Sequence, residues 1–193
     1  MNNVRIAFQL LKNKKEIPIG YKFLTTHMIF DVKMDFTRKA RLVGGGHLTD
    51  EPASMTYSSV VSRDSVRIAF TLAALNDLDI LAADVGNAYL CAKPREKYYI
   101  QCGSEFGEDK GKYALIVRAL YGLKSAGASW RAHFAETLRN MQFISCDKAD
   151  ADVWRRPAIK PNGFKYYEYI LVYVYDILLI SHNANELGEY LNT

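Results

Sequence analysis

Hydrophobic and polar positions change rhythm several times along this 193-residue chain, and each change predicts an element. The first twenty residues mix apolar positions with Lys12, Lys14 and Lys15, then break at Pro18 and Gly20. In "HMIFDVKMD" (27–35) the alternation has the period of a strand, whose successive side chains point to opposite faces. Residues 21–43 therefore predict two strands, with a polar turn near Asp35–Thr37 closing a hairpin. "GGGHLTDEPAS" (44–54), with three glycines and a proline, predicts a loop. Over 62–79 the period becomes helical. Val66, Ala69, Phe70, Ala73 and Leu75 form an apolar stripe, Ser62 is placed to cap it, and Asp64 sits in the first turn, where the helix dipole favours an acid.

Downstream, "ILAAD" (80–84) predicts a short buried strand that ends in an acid, and "KYYIQ" (97–101) and "YALIVR" (113–118) predict further strands. "AGASWRAHFAETLRNMQF" (126–143) predicts a second helix, with Trp130, Phe134 and Leu138 four apart on one face and Met141 near it. After a turn at Gly163, "FKYYEYILVYV" (164–174) and "ILLIS" (177–181) predict two strands joined by a very tight turn at Tyr175–Asp176. This order predicts an α+β fold, with helices packed on one face of an antiparallel sheet.

Composition narrows the classes. The length suits one domain, or one with a small appendage. Lys plus Arg (25) exceed Asp plus Glu (21), a mild basic excess that a polyanionic partner would tolerate but does not require. Cys91, Cys102 and Cys146 are far apart with no CxxC pair, and the four histidines are scattered, which argues against a disulfide framework or a zinc site. The apolar run near the N-terminus is too short for a secretory signal, and no stretch reaches about 18 uninterrupted apolar residues. A soluble intracellular chain with no membrane partner is expected.

Two acids stand out by position. Asp84 ends an apolar strand, and Asp176 sits between two very apolar ones. If the 80–84 strand lies beside the 170–181 hairpin, the two carboxylates meet at one sheet end and form a site for a hard cation such as Mg²⁺. The alternative, which the pattern taken alone favours because aspartate is a common turn residue, is that both acids are turn caps that accept backbone N–H bonds.

Four blocks then add a resemblance: "TRKARLV" (37–43), "DVGNAYL" (84–90), "RALYGLKSAGASW" (118–130) and "YVYD" (173–176). In this order and at these intervals the chain resembles, from about residue 18 to 183, the reverse transcriptase of copia-type LTR retrotransposons. The resemblance implies a right-hand polymerase fold. Its fingers would be residues 1–60 with part of 95–120, and its palm residues 61–193. The chain would stop after the catalytic hairpin, with the thumb missing. It implies two Mg²⁺ ions held by Asp84, Asp176 and the backbone carbonyl of Val85. It implies Lys39 and Arg41 as grips on the triphosphate, and Tyr89 as a steric gate against a 2′-OH. Gly122 and Lys124 would lie beside nucleotide and template. Read without the resemblance, Lys39 and Arg41 are a solvated strand edge and Tyr89 is a core aromatic.

The family pattern at 173–176 is tyrosine, valine, aspartate, aspartate. Tyr175 stands where the first of that pair, a direct metal ligand, is expected. It replaces a carboxylate with a phenol, neutral at pH 7, so polymerisation is expected to be lost or much reduced. The implied partners are an RNA or DNA template with its primer, deoxynucleoside triphosphates and other parts of a retrotransposon polyprotein. The implied localisation is cytoplasmic particles, with integration in the nucleus. The alternatives are a non-catalytic nucleic-acid-binding relic, using Lys39, Arg41, Lys93, Arg95, Lys97 and Lys124 on backbone phosphates, or an inert α+β fragment.

Overall fold

A computed structural model describes residues 6–49 and 56–191 of the chain. The elements are, in order, β1 (Phe8–Leu11), β2 (Lys22–Phe23), β3 (Thr26–Val32), β4 (Arg38–Gly44), α1 (Arg63–Leu75), β5 (Asp79–Asp84) and the single-turn α2 (Ala88–Cys91). They continue with β6 (Tyr98–Gln101), β7 (Tyr113–Ile116), α3 (Ala126–Asn140), β8 (Ile144–Cys146), β9 (Asp150–Ile159), β10 (Lys165–Tyr173), β11 (Asp176–Ser181) and α4 (Ala184–Leu191). The α+β class is as expected. The chain forms two compact units: Met1–Tyr57 with Asn87–His133, and Ser58–Gly86 with Phe134–Thr193.

The first unit holds a four-stranded sheet of order β1-β7-β6-β2 and, separately, the two-stranded hairpin β3-β4. The hairpin is the one the alternation predicts, in register from Thr26↔Gly44 to Val32↔Arg38. Asp35 accepts the Thr37 N–H at 2.9 Å, and Phe36 takes a positive φ of 61°, so the expected turn residues reverse the chain. Ile100 of β6 and Ala114 of β7, paired in register, are fully buried in the larger sheet. The expected loop 44–54 is a short helical turn at Gly46–Leu48; its residues 50–54 lie outside the described residues.

The second unit is a five-stranded antiparallel sheet of order β5-β11-β10-β9-β8. The Ser62 hydroxyl caps α1 by accepting the Ser65 N–H, as the N-cap reading requires. Ala69 and Ala73, one turn apart, bury this helix against Leu171 and Ile180. The apolar stripe is narrower than the sequence suggests: Phe70 (46 % exposed) and Leu75 (77 %) point away from the sheet. One lies about 100° round the helix from Ala69, and the other lies in the last turn.

Two expectations are corrected here. β5 is not a buried strand. It is the sheet edge, paired on one side only, and its positions alternate between half-buried and exposed. The helices also cover both faces of the sheet rather than one. Along β11, Leu178 and Ile180 meet α1, while Leu179, with Leu81 of β5, lies against Gly188 of α4. On that second face Arg139 of α3 stacks over Trp154 at 5.5 Å, and Trp154 pairs in register with Ile170, itself opposite Leu179. A strand whose successive positions are all apolar must find cover on both sides, because their side chains alternate between faces. The stripe on α3 holds: Trp130, Phe134 and Leu138 are all buried.

Candidate catalytic site

In the second unit, β11 and β5 run antiparallel, and the first rung of their ladder is Asp176↔Asp84. Residues directly opposite in such a pair point to the same face, with Cβ atoms about 4.5–5.5 Å apart. Alternation along the strands sets both acids on the face of Leu178 and Ile180, the face packed by α1. Both are solvent-exposed, so neither bears a burial cost. Two carboxylates at one strand end form an anionic pair open to solvent. Among the described residues, no group of three or more His, Cys, Asp and Glu side chains is gathered closely enough to hold a metal ion.

The hairpin turn is one residue earlier than the sequence suggests. Tyr173 pairs with Asp176, so the loop consists of Val174 and Tyr175, and Asp176 is the first residue of β11 rather than a turn residue. That shift is what sets Asp176 opposite Asp84. Val174 has φ of 58°. Positive φ at the first of two loop residues is the geometry of a hairpin turn that favours glycine there. A β-branched side chain in that conformation is strained, at a cost of order 1–3 kcal/mol. The loop is held from the side: the Val85 N–H donates to the Tyr175 carbonyl at 2.9 Å, one step beyond the Asp84 rung. Tyr175 is half-buried.

The remaining expected site residues belong to the first unit. Lys39 and Arg41 lie two apart on one face of β4, opposite Asp31 and Ile29, and both are half-buried. The Arg41 guanidinium lies 5.9 Å from the centroid of the Tyr121 ring, and that ring lies 4.7 Å from the ring of Tyr89. Tyr89 is the second residue of α2, which the chain enters through Asn87 in the left-handed region. Tyr121 was no candidate from the sequence. Its only signal is its place directly before Gly122 in "LYGLK".

Gly122 sits at φ +90°, and a Cβ there would lie 2.1 Å from the Gly44 carbonyl oxygen. The Gly44 N–H donates to the Tyr121 carbonyl at 2.8 Å, and a Cβ on Gly46 would lie 2.0 Å from the Gly122 oxygen. The glycines at 44–46 and 122 thus let two stretches of backbone touch, and this contact seats Tyr121 on β4. Lys124 donates its ammonium to the Thr49 carbonyl at 2.7 Å, tying down the end of the same loop. Lys93, Arg95 and Lys97 are exposed in this unit.

The site residues therefore form two sets: an acid pair beside a strained hairpin, and an arginine–tyrosine–tyrosine stack on a β-hairpin. The class of protein to which this α+β scaffold belongs comes from comparison with known families. The sequence profile of the family described as Reverse transcriptase (RNA-dependent DNA polymerase) matches residues 3–192, and the chain belongs to that family.

Among curated proteins it is similar to the Transposon Ty1-NL2 Gag-Pol polyprotein of Saccharomyces cerevisiae, 29% identical over 183 residues, which cover 94% of this chain and 10% of that protein. It is also 29% identical over 175 residues to the Transposon Ty1-BL Gag-Pol polyprotein of the same organism, covering 90% of this chain and 9% of that protein. The chain thus spans about a tenth of the length of these relatives. The copia-type reverse transcriptase resemblance carried by the four sequence blocks is borne out. Among the described residues no helix is long and apolar enough to cross a membrane.

Proposed function

We propose that this chain is the nucleotidyl-transfer part of a retrotransposon reverse transcriptase, weakened by Tyr175. The observation that carries the reading is the Asp176↔Asp84 rung at the open edge of the sheet. One or two carboxylates with open solvent on one side suit a single Mg²⁺, which keeps several waters and accepts substrate phosphates. Asp84 and Asp176 would hold it, with the Val85 carbonyl as a further ligand. A cation bound there would offset charge on the phosphoryl oxygens and make the primer hydroxyl a better nucleophile.

A second ion would need another carboxylate to offset the repulsion between two dications, and the residue beside the pair is Tyr175. The chain's own residues would do the rest. Arg41 and Lys39 would grip the triphosphate, the first by a planar fork and the second as a point charge. Tyr89 would lie under the incoming sugar. Gly122 would keep the loop beside β4, and Lys124, already bonded to Thr49, would hold that loop in shape next to nucleotide and template. Residues 1–60 with part of 95–120 would serve as fingers and residues 61–193 as palm, acting on primed RNA or DNA within a polyprotein. Cytoplasmic particles and the nucleus follow as its expected places of work.

The test is Mg²⁺-dependent primer extension by the chain and by Tyr175→Asp. Metal stabilisation of the transition state is worth several kcal/mol, and each 1.36 kcal/mol is tenfold in rate, so Tyr175→Asp should extend primers at least about a hundredfold faster. Equal rates would refute the role given to Tyr175. No extension by Tyr175→Asp would refute the reading as a whole.

One observation favours a second reading. Lys39, Arg41, Lys93, Arg95, Lys97 and Lys124 all belong to one compact unit, which suits a non-catalytic grip on backbone phosphates. That reading gives salt-dependent binding of an RNA–DNA hybrid with no extension by either protein.

A further inference from the structure

We infer that Tyr121 is a positioning residue for nucleotide selection, acting as the backstop that fixes the ring of Tyr89; the inference rests on the polymerase reading above. Three contacts hold Tyr121 in place. Its carbonyl accepts the Gly44 N–H at 2.8 Å, which fastens its backbone to the end of β4. On one side its ring receives the Arg41 guanidinium at 5.9 Å. On another it meets the ring of Tyr89 at 4.7 Å, with the planes tilted by 47°. That distance and tilt are those of a favourable aromatic pair, in which the positive edge of one ring approaches the negative face of the other. The cation on the Tyr121 ring draws on the same π density, so the three groups form a connected stack.

Tyr89 needs such a support. It stands on a helix of only four residues, entered through a left-handed Asn87. A single turn is too short to be rigid by itself. A side chain that selects against one hydroxyl group must keep its place to within a fraction of an ångström, and such placement comes from the groups packed behind it. Tyr121 supplies the packing from a loop whose glycines bring it against β4. The stack also links two jobs. Arg41, proposed to hold the triphosphate, and Tyr89, proposed to meet the sugar, share one intervening ring. A triphosphate seated on Arg41 would thus bear on the placement of Tyr89.

The experiment measures dATP and ATP binding with Mg²⁺ to the whole chain and its variants; the two ligands differ only by the 2′-OH. The readout is the ratio of their dissociation constants. The chain itself should favour dATP. Tyr121→Ala should shrink that preference by roughly 3- to 10-fold, the range that the loss of one aromatic pair commands. Tyr121→Leu keeps apolar bulk and so guards against simple unfolding, which far-UV circular dichroism checks; it should lose the preference too. Tyr121→Phe should retain it, because the ring is kept.

A preference unchanged in both Ala and Leu variants overturns the inference while the polymerase reading stands. A preference lost equally in Tyr121→Phe overturns it as well, since the hydroxyl and not the stack would then be responsible. No triphosphate binding by the parent chain, or a preference unmoved by Tyr89→Ala, overturns the underlying reading and the inference together.

Discussion

If Asp84 and Asp176 form one anionic site, each destabilises the metal-free protein through the other, and removing one charge should stabilise the fold. Asp176→Asn tests this with little other change, since aspartate and asparagine are similar in size and both are poor strand formers. The two acids are directly opposite in the β11–β5 ladder. Taking about 5 Å between charges and the dielectric of water, because both are exposed, Coulomb's law gives about 0.8 kcal/mol of repulsion. For a chain of this size that is a rise of about 2 °C in Tm at low salt. The gain should fade towards 1 M salt, where the Debye length falls to about 3 Å.

The decisive form is a double-mutant cycle by thermal unfolding in EDTA. Asp84→Asn, Asp176→Asn and the double variant should be about equally stable, because either change removes the whole repulsion. Adding Mg²⁺ should reverse the order, since an ion that binds only the native acid pair stabilises the parent chain and not the variants. Additive effects in the cycle, or Mg²⁺ raising all four proteins alike, would refute the shared site.

Two further outcomes follow. Gly122→Ala puts a Cβ 2.1 Å from the Gly44 oxygen at a φ of +90°; left-handed strain and the disturbed Gly44–Tyr121 hydrogen bond should cost about 3 kcal/mol. In a urea melt, Gly86→Ala, whose added Cβ meets nothing within 4 Å, should change far less; similar losses in both would contradict the close approach. For Asp150, burial pushes the carboxyl pKa up, but hydrogen bonds from the Ser62 N–H and the Ser65 hydroxyl outweigh this and hold it below the ordinary value. A depressed folded-state pKa gives stability that is present above the unfolded value and lost as pH falls through the folded one. Ser65→Ala should therefore cost about 0.5–1 kcal/mol at pH 7 and progressively less as pH falls below the ordinary carboxylate range, and a cost that does not change with pH across that range would refute the assignment.

Much of the fold was legible because local chemistry decides it. Ser62 and the helical period mark α1, Asp35 and Thr37 close the β3-β4 hairpin, and the apolar runs around Asp176 form β10 and β11. Four sequence blocks in order were enough to name the family. Even the meeting of Asp84 and Asp176 could be anticipated, since two acids at the ends of adjacent apolar strands have few other ways to share a sheet.

The misreadings came from neighbours that periodicity does not name. A repeat of two or of 3.6 residues says which side of an element is apolar, and not how many partners will cover it. So β5 read as buried although it is an edge, Phe70 and Leu75 read as core although they face outward, and the sheet was given helices on one face instead of two. The turn beside Asp176 moved by one residue because strand pairing outweighed the strain at Val174.

What the sequence determined by itself is therefore α1, α3, the β3-β4 and β10-β11 hairpins, strands β5, β6 and β7, and the chemistry available at residues 84 and 176; β1, β8, β9, α2 and α4, whose short or mixed stretches carry no clear period, came from the structure. Tertiary structure alone decided that Arg41, Tyr121 and Tyr89 stack, and that Gly122 and Gly44 touch. Those contacts join positions far apart in the chain, and they depend on strand pairing and on backbones that approach to within a Cβ of each other.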